Sequence, residues 1–238
     1  MSFVSPKMRV GMSLKSLAVL ALLMAMPAAS KADYKLEKLN EGPPAGLAAG
    51  VKGTLEAQGF RVLDAEGKPY VDVWLRKATP ASGKPSGSKG AVLYPVLAEG
   101  ELIGAVRFAG EGHDYRDQPI APGVYTLRYG LQPINGDHLG VSVNRDYALM
   151  VPSAKDTDPA DLTRKKLESM SAESAGTTHP AVLLLLAPPE KLPDSPTMVN
   201  DTMLNTWGAI VSLPLEVKGE SKPVPLPIQL VVVGAKTD

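Results

Sequence analysis

The chain has no cysteine. Disulfides, thiolate metal centres, a cysteine nucleophile and a lipid-modified cysteine are therefore excluded. Aromatic residues make up only 5% of the 238 positions, so a core has to be built from Leu, Val and Ala. Neither charge sign is in excess: 25 basic side chains balance 25 acidic ones. That balance gives no polycationic signature for a nucleic-acid partner. There are three histidines and no H-E-x-x-H among them. The G-x-S-x-G nucleophile elbow and the G-x-x-x-x-G-K-[ST] phosphate loop are also missing. Ser86-x-x-Lys89 has the spacing of a serine–lysine acylase, but it sits among glycines and prolines instead of opening a helix. No apolar run reaches the roughly 20 residues that a bilayer-spanning helix needs.

What is present begins with a leader. Lys7, Arg9 and Lys15 precede an apolar run over residues 17–26, Pro27 breaks it, and Ser30-Lys31-Ala32 places small residues at −3 and −1 of a cut. That is the three-part pattern of a secretory signal peptide, and it predicts cleavage after Ala32 and a periplasmic or extracellular protein. Cleavage removes four basic residues (Lys7, Arg9, Lys15, Lys31) and no acidic one, leaving 21 basic against 25 acidic groups, a formal charge of −4. Residues 33–53, polar and then rich in Gly, Pro and Ala, read as a leader segment, flexible or lying along the domain. Residues 54–238 read as one domain.

Two-residue alternation dominates that domain. The clearest case is residues 120–133, a Pro-Gly turn feeding a strand. Tyr125, Leu127, Tyr129 and Leu131 share one face, and Val124, Thr126, Arg128 and Gly130 share the other. Alternation also predicts strands over 60–64, 70–76, 146–151, 207–217 and 224–233, and a hairpin of 92–97 with 102–108. The wholly apolar run 181–187, closed by Pro188-Pro189, reads as a strand buried on both faces. Pro214 assigns its strand to an edge or a bulge. One helix is expected over 158–172, with Asp158 as N-cap and Pro159 in the first turn. The whole predicts an all-β antiparallel sandwich, immunoglobulin-like or prealbumin-like, with one helix.

Residues 60–75 (Phe60-Arg-Val-Leu-Asp-Ala-Glu-Gly-Lys-Pro-Tyr-Val-Asp-Val-Trp-Leu) together with 122–127 (Pro-Gly-Val-Tyr-Thr-Leu) resemble the opening hairpin and a later strand of transthyretin-like and carboxypeptidase-regulatory-like domains. A long insertion separates the two pieces here. The resemblance implies a sandwich serving structure, binding or assembly, and carries no catalytic residues.

Three kinds of site remain as candidates. His138, Asp146 and His179 supply ligand types for a divalent metal, although no characteristic spacing links them. His113 and His138 flank the 124–131 strand at opposite ends, about 25 Å apart at about 3.3 Å per residue, and so cannot share a site. Asp156-x-Asp158 is a fragment of a calcium loop without the glycine and glutamate that complete one. Trp74 and Trp207 offer stacking surfaces for a sugar or peptide. The sequence therefore predicts an exported, non-catalytic envelope protein with a binding or structural role. A metal-dependent enzyme or metal carrier and a carbohydrate-binding module stand as alternatives, the partner being an envelope protein or a carbohydrate.

Overall fold

The computed structural model describes residues 1–2, 33–134 and 142–234. The leader, its cleavage site, the Asn135-Gly136 turn and His138 lie outside the described residues.

In chain order the elements are β1 (Lys35–Leu39), α1 (Ala49–Lys52), β2 (Gly59–Leu63), β3 (Pro69–Leu75), β4 (Thr79–Ala81), β5 (Leu102–Phe108), β6 (Gly112–His113), β7 (Pro119–Ile120) and β8 (Gly123–Leu131). There follow β9 (Asp146–Pro152), α2 (Arg164–Ala175), β10 (Val182–Leu186), β11 (Thr197–Asp201), β12 (Thr206–Val217) and β13 (Val224–Val233). The all-β class holds. Eleven strands form one large sheet in the order β1-β2-β3-β5-β8-β9-β10-β13-β12-β11, with β4 added beside β12, while β6 and β7 make a separate two-stranded ribbon. β4 runs parallel to β12, so the sheet is mixed, not purely antiparallel. The sheet curls: Tyr34, beside β1, meets Trp207 of β12 with ring centroids 5.7 Å apart.

β8 lies in the middle of this order, as its alternation predicts. Tyr125, Leu127 and Tyr129 enter the main core with Val71, Val106, Leu183, Leu213 and Ile228. Its second face is equally buried and is polar. Arg128 and Thr126 are both fully enclosed. All five Arg128 N–H donors are used: Nε and Nη2 donate to Asp156 at 2.7 and 2.8 Å, and the remaining bonds go to the carbonyls of Gly100, Ala160 and Asp158.

That network corrects the helix start. The Asp158 and Ala160 carbonyls turn to Arg128, and Leu162 N, which a helix from 158 would aim at the Asp158 carbonyl, bonds the Gly100 carbonyl instead at 3.3 Å. The Asp158 carboxylate instead accepts from Ala160 N at 2.9 Å, and α2 starts only at Arg164. It runs past the expected 172 to Ala175, and Gly176 at φ 61 takes the left-handed cap position.

Two further expectations change. Residues 33–53 are not a flexible leader: β1 pairs antiparallel with β2 from Lys35 opposite Leu63 to Leu39 opposite Gly59. Leu39, Leu47 and Val51 are buried against Trp74. The expected 92–97 strand does not form. Pro95 interrupts it, and the Asp146 carboxylate takes Leu93 N at 2.8 Å and Tyr94 N at 3.0 Å, the donors a strand partner would need. β5 pairs instead with β3 and β8. Pro214 does lie on an open stretch of β12: β11 reaches only to Ile210, and β4 begins at Leu215.

Glu101, also buried, is ion-paired with Arg76. Burial first, then the neighbouring Asp161 carboxyl, push its carboxyl up to about 7, with Arg76 pulling against them. The folded chain thus keeps a proton that the unfolded chain releases above about pH 4.5. The contribution of this group to stability is complete below about pH 4.5 and is lost as pH rises to about 7. Urea midpoints should fall from pH 5 to pH 7.5, and Glu101→Gln should flatten that fall. An unchanged slope in the variant would mean that other groups cause it.

Candidate functional site

The outer face of β8, β9 and β10 carries a cleft of about 560 Å³, roofed by α2. Tyr147, Leu149 and Val151 alternate along β9 on the face away from the main core, and with Leu167 and Val182 they form a second apolar cluster. Such a face needs cover, and α2 supplies it. Ser171 Oγ donates to the Ala181 carbonyl at 3.0 Å, and Ser174 Oγ to the Met150 carbonyl at 2.9 Å, so two hydroxyls tie the helix to the sheet. Gly130 lies beneath: a Cβ there would lie 2.4 Å from Leu149 Cδ1, so a larger residue would have to move that side chain.

The helix face over the cleft presents Lys165, Glu168, Ser169 and Ala172 at the three- and four-residue spacing of one helix side. The opposite wall is the 114–118 turn. Asp114, fully buried, accepts from Arg116 N at 2.8 Å, Gln118 N at 3.0 Å and Gln118 Nε2 at 2.7 Å. Tyr115 N bonds the Val182 carbonyl at 3.1 Å, which fastens the turn to β10. Tyr115 and Arg116 are thereby held at the cleft. The last wall is residues 178–180, where His179 N donates to Thr177 Oγ1 at 3.1 Å.

Within this frame Tyr147 stands out. It is 6% exposed, and its hydroxyl, with the Tyr115 phenol beside it, has no partner in good hydrogen-bond geometry among the described residues. Buried hydroxyls nearly always have one. Burial, and then the adjacent Tyr115 phenol, push this hydroxyl above the usual tyrosine range, while the positive charge of Arg116 acts the other way. The Tyr115 and Tyr147 rings are 5.6 Å apart. The charged side chains of Arg116, Lys165 and Glu168 line the cleft, and none enters an ion pair among the described residues.

The sequence candidates fare differently. Trp74 is fully buried, its Nε1 donating to the Glu41 carbonyl at 3.0 Å under the Arg107 guanidinium, so it offers no surface to a sugar. Trp207 is half-buried in the seam of the sheet against Tyr34. Asp146 is 1% exposed and committed to structure, accepting from Leu93 N, Tyr94 N and, at 2.7 Å, the Tyr129 hydroxyl. His179 is exposed at the cleft wall. Among the described residues no group of three His, Asp or Glu side chains is placed to hold a metal ion. Asp156 belongs to Arg128, not to a calcium loop.

A second cleft, about 610 Å³, lies in the seam between Leu36, Glu37 and Lys38 of β1 and Ser212 and Pro214 of β12. It lacks a buried unpartnered side chain of the Tyr147 kind among the described residues. The α2 cleft is therefore the better candidate. Its residues Tyr115, Arg116, Tyr147 and Lys165 were not singled out as site residues from the sequence. The one legible hint was the apolar outer face of β9, which demanded a covering element. Compared with known proteins, the chain matches no family model, no curated protein and no solved structure.

Proposed function

We propose that this chain is an exported, non-catalytic binding protein of the cell envelope that holds a small ligand in the cleft beneath α2. The carrying observation is the Tyr147 hydroxyl, buried and unpartnered in a preformed cleft beside unpaired charges. A volume of about 560 Å³ falls in the usual range for small-molecule sites, about 300–1,000 Å³. Binding is favoured over catalysis because the buried carboxylates are already spent on architecture. Asp72 receives Arg61 and Arg107, Asp114 its own turn, Asp146 the 93–94 backbone and Asp156 Arg128. Export rests on the basic, apolar and small-residue pattern of residues 1–32. Among the described residues no helix is long and apolar enough to cross a membrane.

The finer architecture belongs to the same proposal: a sandwich of the prealbumin or immunoglobulin kind. Its support is β10, which pairs with β9 through Val182, Leu183 and Leu184 and with β13 through Leu185 and Leu186. A strand that changes partner halfway along is a corner between two sheet halves.

The test is a thermal-unfolding screen against small metabolites of every charge type. Hits should raise the midpoint, by about 2.7 kcal/mol of stabilisation at 100-fold the dissociation constant. Ala172→Trp, which fills the cleft, should abolish them. Hits that survive Ala172→Trp would move the site elsewhere, and mass analysis showing residues 1–32 retained on the cellular protein would sink export.

A further inference from the structure

We infer that the ligand of the α2 cleft is a monoanionic organic acid, a carboxylate carried on an aromatic or branched apolar body. The inference rests on the cleft being a binding site and names the class it takes. The floor is apolar: Leu131, Leu149 and Val182, with the Tyr147 ring. A ligand that covers it must have a hydrophobic body, and the volume is far beyond that of an acetate-sized ion.

The polar end is set by two donors lining one cleft. The Tyr147 phenol is protonated at neutral pH, as an ordinary tyrosine is, and burial and Tyr115 raise it further. Its O–H has the Tyr115 phenol beside it but no acceptor in good hydrogen-bond geometry among the described residues. Arg116 is close enough for its charge to act on that hydroxyl, and its guanidinium, which has no acceptor of its own among the described residues, offers several further donors. A hydroxyl and a guanidinium in one cleft, neither with a well-placed acceptor among the described residues, match a carboxylate, which accepts at two oxygens. An amide or alcohol would leave the Arg116 charge uncompensated.

Charge count selects a monoanion. Arg116 and Lys165 contribute two positive charges to the lining and Glu168 one negative charge. The surplus is one. A phosphate dianion would exceed it and meet Glu168.

The experiment is calorimetric titration of the purified chain with indole-3-acetate, its neutral amide, and phenyl phosphate. The acid should bind at least tenfold more tightly than the other two, and more weakly as salt is raised. Arg116→Gln should cost at least tenfold. Tyr147→Phe should cost several-fold without lowering the unfolding midpoint, since the hydroxyl it removes makes no well-formed hydrogen bond among the described residues. Equal binding of acid and amide, or an unaffected Arg116→Gln, overturns the anion assignment. If Ala172→Trp still abolishes the hits of the wider screen, the binding reading stands while the ligand class falls. If nothing in either experiment binds in the cleft, both fall.

Discussion

Asp156→Ala is expected to lower the unfolding free energy by about 3–5 kcal/mol, the usual cost of breaking a buried ion pair by deleting one partner. Arg128 has no solvent to turn to: its side chain is 0% exposed and that of Asp156 is 2%. Removing the carboxylate leaves a buried guanidinium without its counter-charge and frees Thr126 Oγ1, which donates to Asp156 at 2.5 Å. For a folded part of about 200 residues each kcal/mol is worth about 2–4 °C in midpoint, so a fall of about 10 °C is expected. The double variant Arg128→Met/Asp156→Leu should lose far less than the sum of the two single changes, because it removes both charges together. A single-variant loss under about 1 kcal/mol would mean that water reaches the pair, at odds with its enclosure.

Gly100→Ala should be comparably severe. Gly100 has φ +90, and a Cβ there would lie 1.9 Å from the Leu162 carbonyl oxygen, which is backbone and cannot rotate away. The left-handed backbone alone costs about 1–2 kcal/mol for a residue with a side chain. Forcing the 158–163 segment outward adds about 1–3 kcal/mol of overpacking. The displaced segment also strains the network, since the Gly100 carbonyl accepts from both Arg128 Nη1 and Leu162 N. Denaturant midpoints of the variant and of Gly100→Ser should drop together. Wild-type midpoints in both would show that the 158–163 segment yields without cost.

These two positions show what was legible and what was not. β8, β9, β12 and β13 follow from alternation and β10 from its wholly apolar run, because their in-facing residues meet one core. The outward faces are harder. Arg128 reads as a solvent-facing residue because a cation on a strand face usually is one. Nothing local announces that Asp156, 28 residues away, comes back over it. Asp158 reads as a helix cap for the same reason: its side chain does bond the backbone two residues on, while its carbonyl turns to the distant Arg128 and Leu162 N to Gly100. β1 escaped because Lys35-Leu-Glu-Lys-Leu39 is an edge strand with little apolar content, and β4 because three residues carry no period. The cleft was legible only as a demand for cover on β9. Which side chains would line it depends on the 114–118 turn and on α2, brought together by contacts between remote parts of the chain.

The seam where Tyr34 packs on Trp207 has a kinetic consequence. β5, β8 and β9 pair with near neighbours in sequence, so they can nucleate early. The β1–β12 junction joins positions separated by most of the chain. Closing so long a loop earns no contact until both ends have been ordered, and topologies dominated by such remote pairings fold in milliseconds to seconds, not microseconds. The curled sheet is therefore expected to assemble outward from β8 and to shut last at its rim, with β1 and β11 as the exposed margins of every intermediate that precedes closure.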